Sequence, residues 1–100
     1  MDTDPFPGAV HLLRVYGIQP KKGLGQNFLI DKNILKKIVD ACEIEPGDAV
    51  VEIGAGLGAL TGMLAEQAEQ VIAIEVDGRL IPVLHEVLHG KRNIKILHQD

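Results

Sequence analysis

The sequence has no tryptophan, two phenylalanines and one tyrosine, so the core it builds must be aliphatic. Its single cysteine, Cys42, excludes an internal disulfide and fits a reducing compartment. Cys42 falls on the apolar side of a predicted helix and reads as inert core. No apolar run approaches the ~20 residues of a membrane span. Nor does the N-terminus carry the basic and then apolar regions of a secretory signal. The expectation is a soluble cytoplasmic protein. With 100 residues, 46% of them hydrophobic, there is material for at most one domain with a small core.

The net charge of −4 gives no global sign of a nucleic-acid partner. The charge is uneven, however. Between Arg14 and Lys37 stand Arg14, Lys21, Lys22, Lys32, Lys36 and Lys37 against one acid, Asp31. A basic segment in an acidic chain suggests a phosphate-facing patch, although a solvated helix face with a flexible arm has the same composition.

Residues 1–8, with two prolines and a glycine, read as a loose terminus. Ala9 to Tyr16 has a helical pattern, stopped at Gly17. "IQPKKGLGQNFLID" follows as an irregular arm. Asp31 is a good N-cap for a helix through Ala41 or Cys42, with Ile34, Leu35, Ile38, Val39 and Cys42 as its apolar stripe. "EPGD" (Glu45–Asp48) is a turn. Then the period changes: strand Ala49–Ile53, a glycine-rich turn, helix Ala59 to about Glu69 with Leu60, Met63, Leu64 and Ala68 on one face. Strand Val71–Glu75, helix Arg79–His89 and strand Ile94–His98 complete the chain. Pro82 is tolerable because it lies in the first turn of its helix. Such β-α-β-α-β alternation specifies α/β architecture with a parallel sheet. Three strands with no helix after the last would leave an open edge and a half-covered face, so the 100 residues are expected to be the front part of a longer protein. Exposed apolar surface is expected on the third strand; no oligomer is predicted.

In "VEIGAGLGALT" (Val51–Thr61) the glycines 54, 56 and 58 follow the first strand. In open α/β sheets ligands sit beyond the carboxyl ends of the strands, where glycine lets the backbone approach the ligand. Glu75 ends the second strand about 20 residues later, the place for a carboxylate that accepts from ribose hydroxyls. Turn and acid together point to an adenosine-containing cofactor. Gly54-x-Gly56-x-x-Ala59 also satisfies the dinucleotide pattern, so a nicotinamide cofactor is an alternative. Against it stand the extra Gly58 and the carboxylate of Glu52, which a pyrophosphate at the helix N-terminus would disfavour. S-adenosylmethionine carries a sulfonium and an ammonium instead, and an acid near that end would help it. A surface or capping Glu is the plainer alternative for Glu52. Asp100, after the third strand, is placed to accept from the cofactor's adenine amino group.

"KKGLGQNFLID" (Lys21–Asp31), "VEIGAGLGALT", "IEVD" (Ile74–Asp77) and "HQD" (His98–Asp100) together resemble the N-terminal part of the small-subunit ribosomal RNA adenine dimethyltransferases, over about residues 14–100. The resemblance implies a Rossmann-like class I methyltransferase fold, cut after the third parallel strand. Residues 1–30 would be an N-terminal helix and basic arm, and residues 31–100 the front half of the methyltransferase domain. It implies S-adenosyl-L-methionine as cofactor, bound by Asn27, Leu29, Gly54, Glu75 and Asp100, with Gln26 and Phe28 shaping the same pocket. It implies dimethylation at N6 of two adjacent adenines near the 3′ end of small-subunit rRNA, in the pre-30S particle, with Lys21 and Lys22 on RNA phosphates. The family's target-adenine run follows a fourth strand, beyond Asp100, so no catalytic residue is assigned and these residues alone are expected not to methylate RNA.

Rivals are the large-subunit rRNA adenine methyltransferases of the macrolide-resistance type, which share the arm and "HQD", an NAD-binding oxidoreductase module, and a non-enzymatic RNA-binding protein. "HEVLH" (His85–His89) matches the helical zinc motif H-E-x-x-H. A third ligand is needed, and the extended pattern wants Gly and His where Arg92 and Lys95 stand. Leu84, Val87 and Leu88 make it an ordinary amphipathic helix, and no metal is expected.

Overall fold

Local sequence and sheet pairing together decide where each element stops. A computed structural model of the chain describes residues 32–100. The expected helix at Ala9–Tyr16, the arm with Lys21, Lys22, Asn27 and Leu29, and the Asp31 cap lie outside the described residues. Helix α1 spans Lys32–Ala41, strand β1 Ala49–Ile53, helix α2 Ala59–Gln67 and strand β2 Gln70–Glu75. A 3-10 turn at Gly78–Leu80 leads into helix α3, Ile81–Val87, and strand β3 is Ile94–His98.

The three strands form one parallel sheet in the order β1-β2-β3. Ala49 pairs with Gln70 and Ile53 with Ile74; Val71 pairs with Ile94 and Glu75 with His98. This is the α/β arrangement expected from the sequence, with all three strands in the expected places and β2 one residue longer. The extra residue, Gln70, is recruited because the Asp48 carbonyl accepts from both Glu69 N–H (2.8 Å) and Gln70 N–H (3.3 Å). The same contact ends α2 two residues before Glu69: Ala68 is already extended, at φ −83° and ψ 152°.

The helix expected at Arg79–His89 is divided. Asp77 accepts from Arg79 N–H (2.9 Å) and so starts a 3-10 turn; α3 proper begins at Ile81, with Pro82 in its first turn. Its end is followed by Gly90, at φ +86°. That left-handed torsion breaks the helical path.

Side chains alternate across the strands, so the sheet has one covered and one bare face. On the covered face Val71 joins Val39, Leu64 and Ala68 in one cluster, while Ala73 joins Ala55, Leu84 and Leu88 in another. Ile94 packs against both. Of the α1 stripe, Leu35 and Val39 form the central row and are buried. The flanking row is Ile34, Ile38 and Cys42. Ile34 is 45% exposed and Cys42, past the helix end, is exposed as well, which corrects the reading of Cys42 as inert core. On the bare face Val51 is 56% and Ile53 76% exposed. The exposed apolar surface therefore lies on β1 rather than on β3, whose Ile94, Ile96 and Leu97 are half-buried. Among the described residues no helix is long and apolar enough to cross a membrane.

The last carbonyls of a helix lack intrahelical donors. Here Asn93, in the turn before β3, supplies them: its Nδ2 donates to Ala65 O (2.8 Å) and Ala68 O (3.1 Å). Its own carbonyl accepts from Val71 N–H at 2.8 Å. One residue thus joins α2, β2 and the entry to β3. Replacing Asn93 by Ala is expected to lower the unfolding free energy by about 1–3 kcal/mol, since two part-buried carbonyls lose their donor. Urea denaturation measures it; a loss below about 0.3 kcal/mol would show that the side chain is idle.

Candidate functional site

Parallel strands bring their carboxyl ends to one edge of the sheet, and the turns that leave them there converge. The turn after β1 is held to β2 by its backbone. Gly54 N–H donates to Ile74 O at 2.8 Å, and Ala55 N–H to the same carbonyl at 3.3 Å. Gln99 N–H donates to Glu75 O at 3.2 Å, which sets Asp100 at the same end. Gly54, Glu75 and Asp100, separated in sequence, are therefore brought to one edge of the sheet. Asn27, Leu29, Lys21 and Lys22 are outside the described residues.

The glycines serve two different ends. Gly54 has φ +78°, and a Cβ built there would meet nothing within 4 Å. It opens onto free space at the strand end, a cradle in which bare backbone can meet a ligand. Gly58, at φ +85°, is the N-cap of α2, and a Cβ there would come within 3.1 Å of Leu84 Cδ2 and 3.4 Å of Leu88 Cγ. It permits close packing of the start of α2 against α3. The third glycine of the motif is thus explained by packing and torsion, without reference to a ligand.

Glu75 is 5% exposed. Its Oε1 accepts from Gly56 N–H at 2.7 Å and its Oε2 from Asp77 N–H at 2.9 Å. The carboxylate clamps the glycine turn to the end of β2. Each oxygen keeps a further lone pair, so bonding to the backbone leaves acceptor capacity for a hydroxyl. Asp77 in turn is engaged by Arg79, whose Nε and Nη2 lie 3.0 and 2.7 Å from its two oxygens. The hydrogen bonds from the Arg79 side chain hold the Asp77 carboxyl below its ordinary range. Nearby, the ring of His98 lies where a Cβ on Gly78 would approach Cε1 to 2.9 Å, so a side chain at residue 78 would have to displace that ring.

Glu52 is neither a surface group nor a cap. It is 9% exposed, and its Oε1 accepts a hydrogen bond from the hydroxyl of Thr61, a residue with no exposed surface. Burial raises its pKa from 4.5 to about 7; the Thr61 bond acts the other way, and the charge of Glu75 adds to the rise. Two carboxylates therefore share the space beneath the glycine turn. The residues present fit an S-adenosyl cofactor: bare backbone at Gly54, an acid at the end of β2, and a buried carboxylate suited to positive charge.

Sequence reading missed Thr61, Asp77 and Asn93. Thr61 stands three residues past Gly58 and could have been read from that spacing as a group facing back under the turn. The exposed side chains of His85 and His89 face a surface groove of about 230 Å³, also lined by Lys91, Ile94 and Ile96. Among the described residues no three His, Cys, Asp or Glu side chains cluster as metal ligands.

The chain matches the family model for ribosomal RNA adenine dimethylase over residues 17–100. It is 54% identical over 89 residues to the ribosomal RNA small subunit methyltransferase A of Geobacillus kaustophilus, covering 89% of this chain and 30% of that protein. Among solved structures, a dimethyladenosine transferase from Plasmodium falciparum superposes with a TM-score of 0.66 at 36% identity, covering 70% of this chain and 26% of the other. The 23S rRNA methyltransferase ErmE gives 0.67 at 38% identity, covering 70% and 29%. The chain thus spans roughly a third of the length of the curated relatives it matches.

Two outcomes are expected from this geometry. Gly54→Ala carries only the torsional cost of a left-handed Cβ, about 1–2 kcal/mol, whereas Gly58→Ala adds contact with Leu84 and costs more; paired urea titrations that rank them in the opposite order would refute the division of roles. For Glu52, an acid whose pKa is raised on folding, the stabilising contribution is full below pH 4.5 and is lost as pH rises through about 7. Relative to Glu52→Gln, the native chain should lose on the order of 3 kcal/mol across that window. Parallel stability profiles for the two proteins would show that the carboxyl does not titrate there.

Proposed function

The chain belongs to the ribosomal RNA adenine dimethylase family, and on that premise we propose that the whole protein transfers methyl groups from S-adenosylmethionine to N6 of two adjacent adenines near the 3′ end of small-subunit rRNA. The observation that carries the cofactor half of this reading is the open backbone at Gly54 beside the buried carboxylates of Glu75 and Glu52. Gly54 meets the ligand through its backbone, Glu75 holds the ribose with its spare lone pairs, and Asp100 accepts from the adenine amino group. Asn27 and Leu29 line the same pocket from the arm, and Lys21 and Lys22 contact RNA phosphates, which position the substrate without specifying it.

When bound, the cofactor supplies an activated methyl on its sulfonium, so the chain needs no metal and no strong base. Its task is to hold the donor so that an adenine amine can approach in line, and most of the acceleration would come from that positioning. The turn is suited to this because its geometry is fixed by Glu75 before any ligand arrives. A nicotinamide cofactor fits less well: its pyrophosphate would sit above two buried carboxylates.

The small-subunit reading is supported by the 54% identity to a protein named for that subunit. The likeness to ErmE, at 38% identity, favours a large-subunit substrate as the second reading. Methylation assays of the whole protein on rRNA from each subunit separate the two. We place the protein in the cytoplasm, with the pre-30S particle as its partner, because that is where this substrate is assembled.

Calorimetric titration with S-adenosylhomocysteine and, separately, with NAD tests the cofactor. S-adenosylhomocysteine is expected to bind and NAD not. Glu75→Ala should weaken S-adenosylhomocysteine by about 10–100-fold, the worth of hydrogen bonds to a charged acceptor. Binding of NAD alone would overturn the methyltransferase reading.

A further inference from the structure

The H-E-x-x-H motif is a sequence feature that the cofactor site leaves unused. His85 lies in α3 and His89 just past its end; both are exposed and both line the groove of about 230 Å³ beside β3. Leu88, Ile94 and Ile96 give that groove an apolar wall, and Gly90 and Lys91 complete it. A Cβ on Gly90 would meet nothing within 4 Å, so the groove is open there. Lys91 is steadied against α2, where its Cε would lie 3.7 Å from a Cβ on Gly62. Among the described residues the ion pairs are Lys36 with Asp40 and Arg79 with Asp77, so neither Lys91 nor Arg92 is neutralised by an acid. Nor is the motif a metal site, since no third ligand joins the two histidines. Basic side chains after a helix also suit its C-terminal dipole. That accounts for cations at the end of α3, but not for an apolar groove between two rings and a lysine.

We propose that this groove holds a nucleotide of single-stranded RNA: a base stacks on the His85 and His89 rings against the apolar wall, and Lys91, with Arg92 beyond it, takes the phosphates. The inference rests on the RNA half of the reading above and adds a contact to those of Lys21 and Lys22.

Sites for unpaired RNA combine a cationic track with flat ring faces, and histidine is one of the rings that stack on splayed bases. Residues 32–100 hold no Phe, Tyr or Trp, so imidazoles are the rings at hand. The remaining one, His98, is at the cofactor end and bonds to Val76 O at 3.1 Å. A duplex keeps its bases inside and would offer the groove phosphates alone. An acidic polypeptide would likewise answer the cations and leave the rings idle. From Ile94 at the groove, β3 runs about 13 Å to His98 at the cofactor edge. The nucleotide held here is therefore not the one being methylated, and the groove anchors the substrate without touching the reacting atoms.

The test is fluorescence anisotropy of the chain with a labelled, mixed-sequence single-stranded RNA, with a chelator present. The same sequence as a duplex, and polyglutamate, serve as competitors. The double variant His85→Ala, His89→Ala should bind the single strand about 5–100-fold more weakly. The pair His85→Phe, His89→Phe keeps the ring faces and should recover most of that loss. Lys91→Gln should lower the slope of log affinity against log salt by about 0.7, the share of one phosphate. Lys95→Gln, on the opposite face of β3 by alternation, should change it less. All these side chains are exposed, so urea midpoints should not move. Native affinity in the Ala pair, or a Phe pair that binds no better than the Ala pair, overturns the proposal. So does equal competition by the duplex or by polyglutamate. RNA binding lost in Lys21→Gln, Lys22→Gln but not in the groove variants also overturns it, and leaves the RNA reading standing on the arm. Failure of the native chain to bind the RNA overturns it together with the arm's RNA contact.

Discussion

One carboxylate ties the glycine turn to the turn that follows the next strand. Glu75 spans the gap between the turn after β1 and the turn after β2, accepting the Gly56 amide on one oxygen and the Asp77 amide on the other. Buried backbone N–H groups must find acceptors. Neither turn has a strand or helix partner to supply one at this point. Remove the carboxylate and both amides are orphaned, leaving the glycine turn held to β2 only by the Gly54 and Ala55 amides on Ile74 O. The geometry of the turn is therefore a property of the folded chain, and the residue proposed to hold the ribose is also the one that ties the two turns together.

Glu52 and Glu75 are the same residue type, both nearly out of contact with solvent, yet they stand in different chemical situations. Glu75 has two backbone donors aimed at it, one on each oxygen. Glu52 has one hydroxyl, and burial prevails: its proton is held to about pH 7. Side by side they divide the work of the site. One is tied to the backbone through both oxygens, with acceptor capacity to spare; the other is tied through one oxygen to a hydroxyl.

Much of this was legible in the sequence. The change from helical to alternating apolar spacing at Ala49, the three glycines after it and the acid at the end of the next strand located the sheet and the site edge. Those signals are local, and local signals survive without tertiary context. What was not legible depends on distant partners. The end of α2 is decided by Asp48, which captures Glu69 and Gln70 from another part of the chain. The stripe of α1 looked five residues wide, but the neighbouring helix covers only its central row, leaving Cys42 outside. The direction of Glu52 could not be read from alternation alone, because both faces of β1 carry apolar residues. Asn93 gave no signal at all: its two bonds reach back more than two turns of helix and a strand earlier in the sequence.

The order of the sheet has a consequence for how the chain is made. Each strand pairs with the one synthesised just before it, at a separation of roughly twenty residues. Contacts so close in sequence form with little loop entropy and need nothing that has not yet emerged. At ~5–20 residues per second, a nascent chain can zip β1, β2 and β3 together during translation, helix by helix. The same order exposes a hazard, since Val51 and Ile53 reach water on a bare strand as soon as the unit closes. A three-stranded sheet with exposed apolar residues on one strand is a surface that chaperones bind and other nascent chains adhere to. Short-range pairing and an exposed apolar strand thus come from one arrangement.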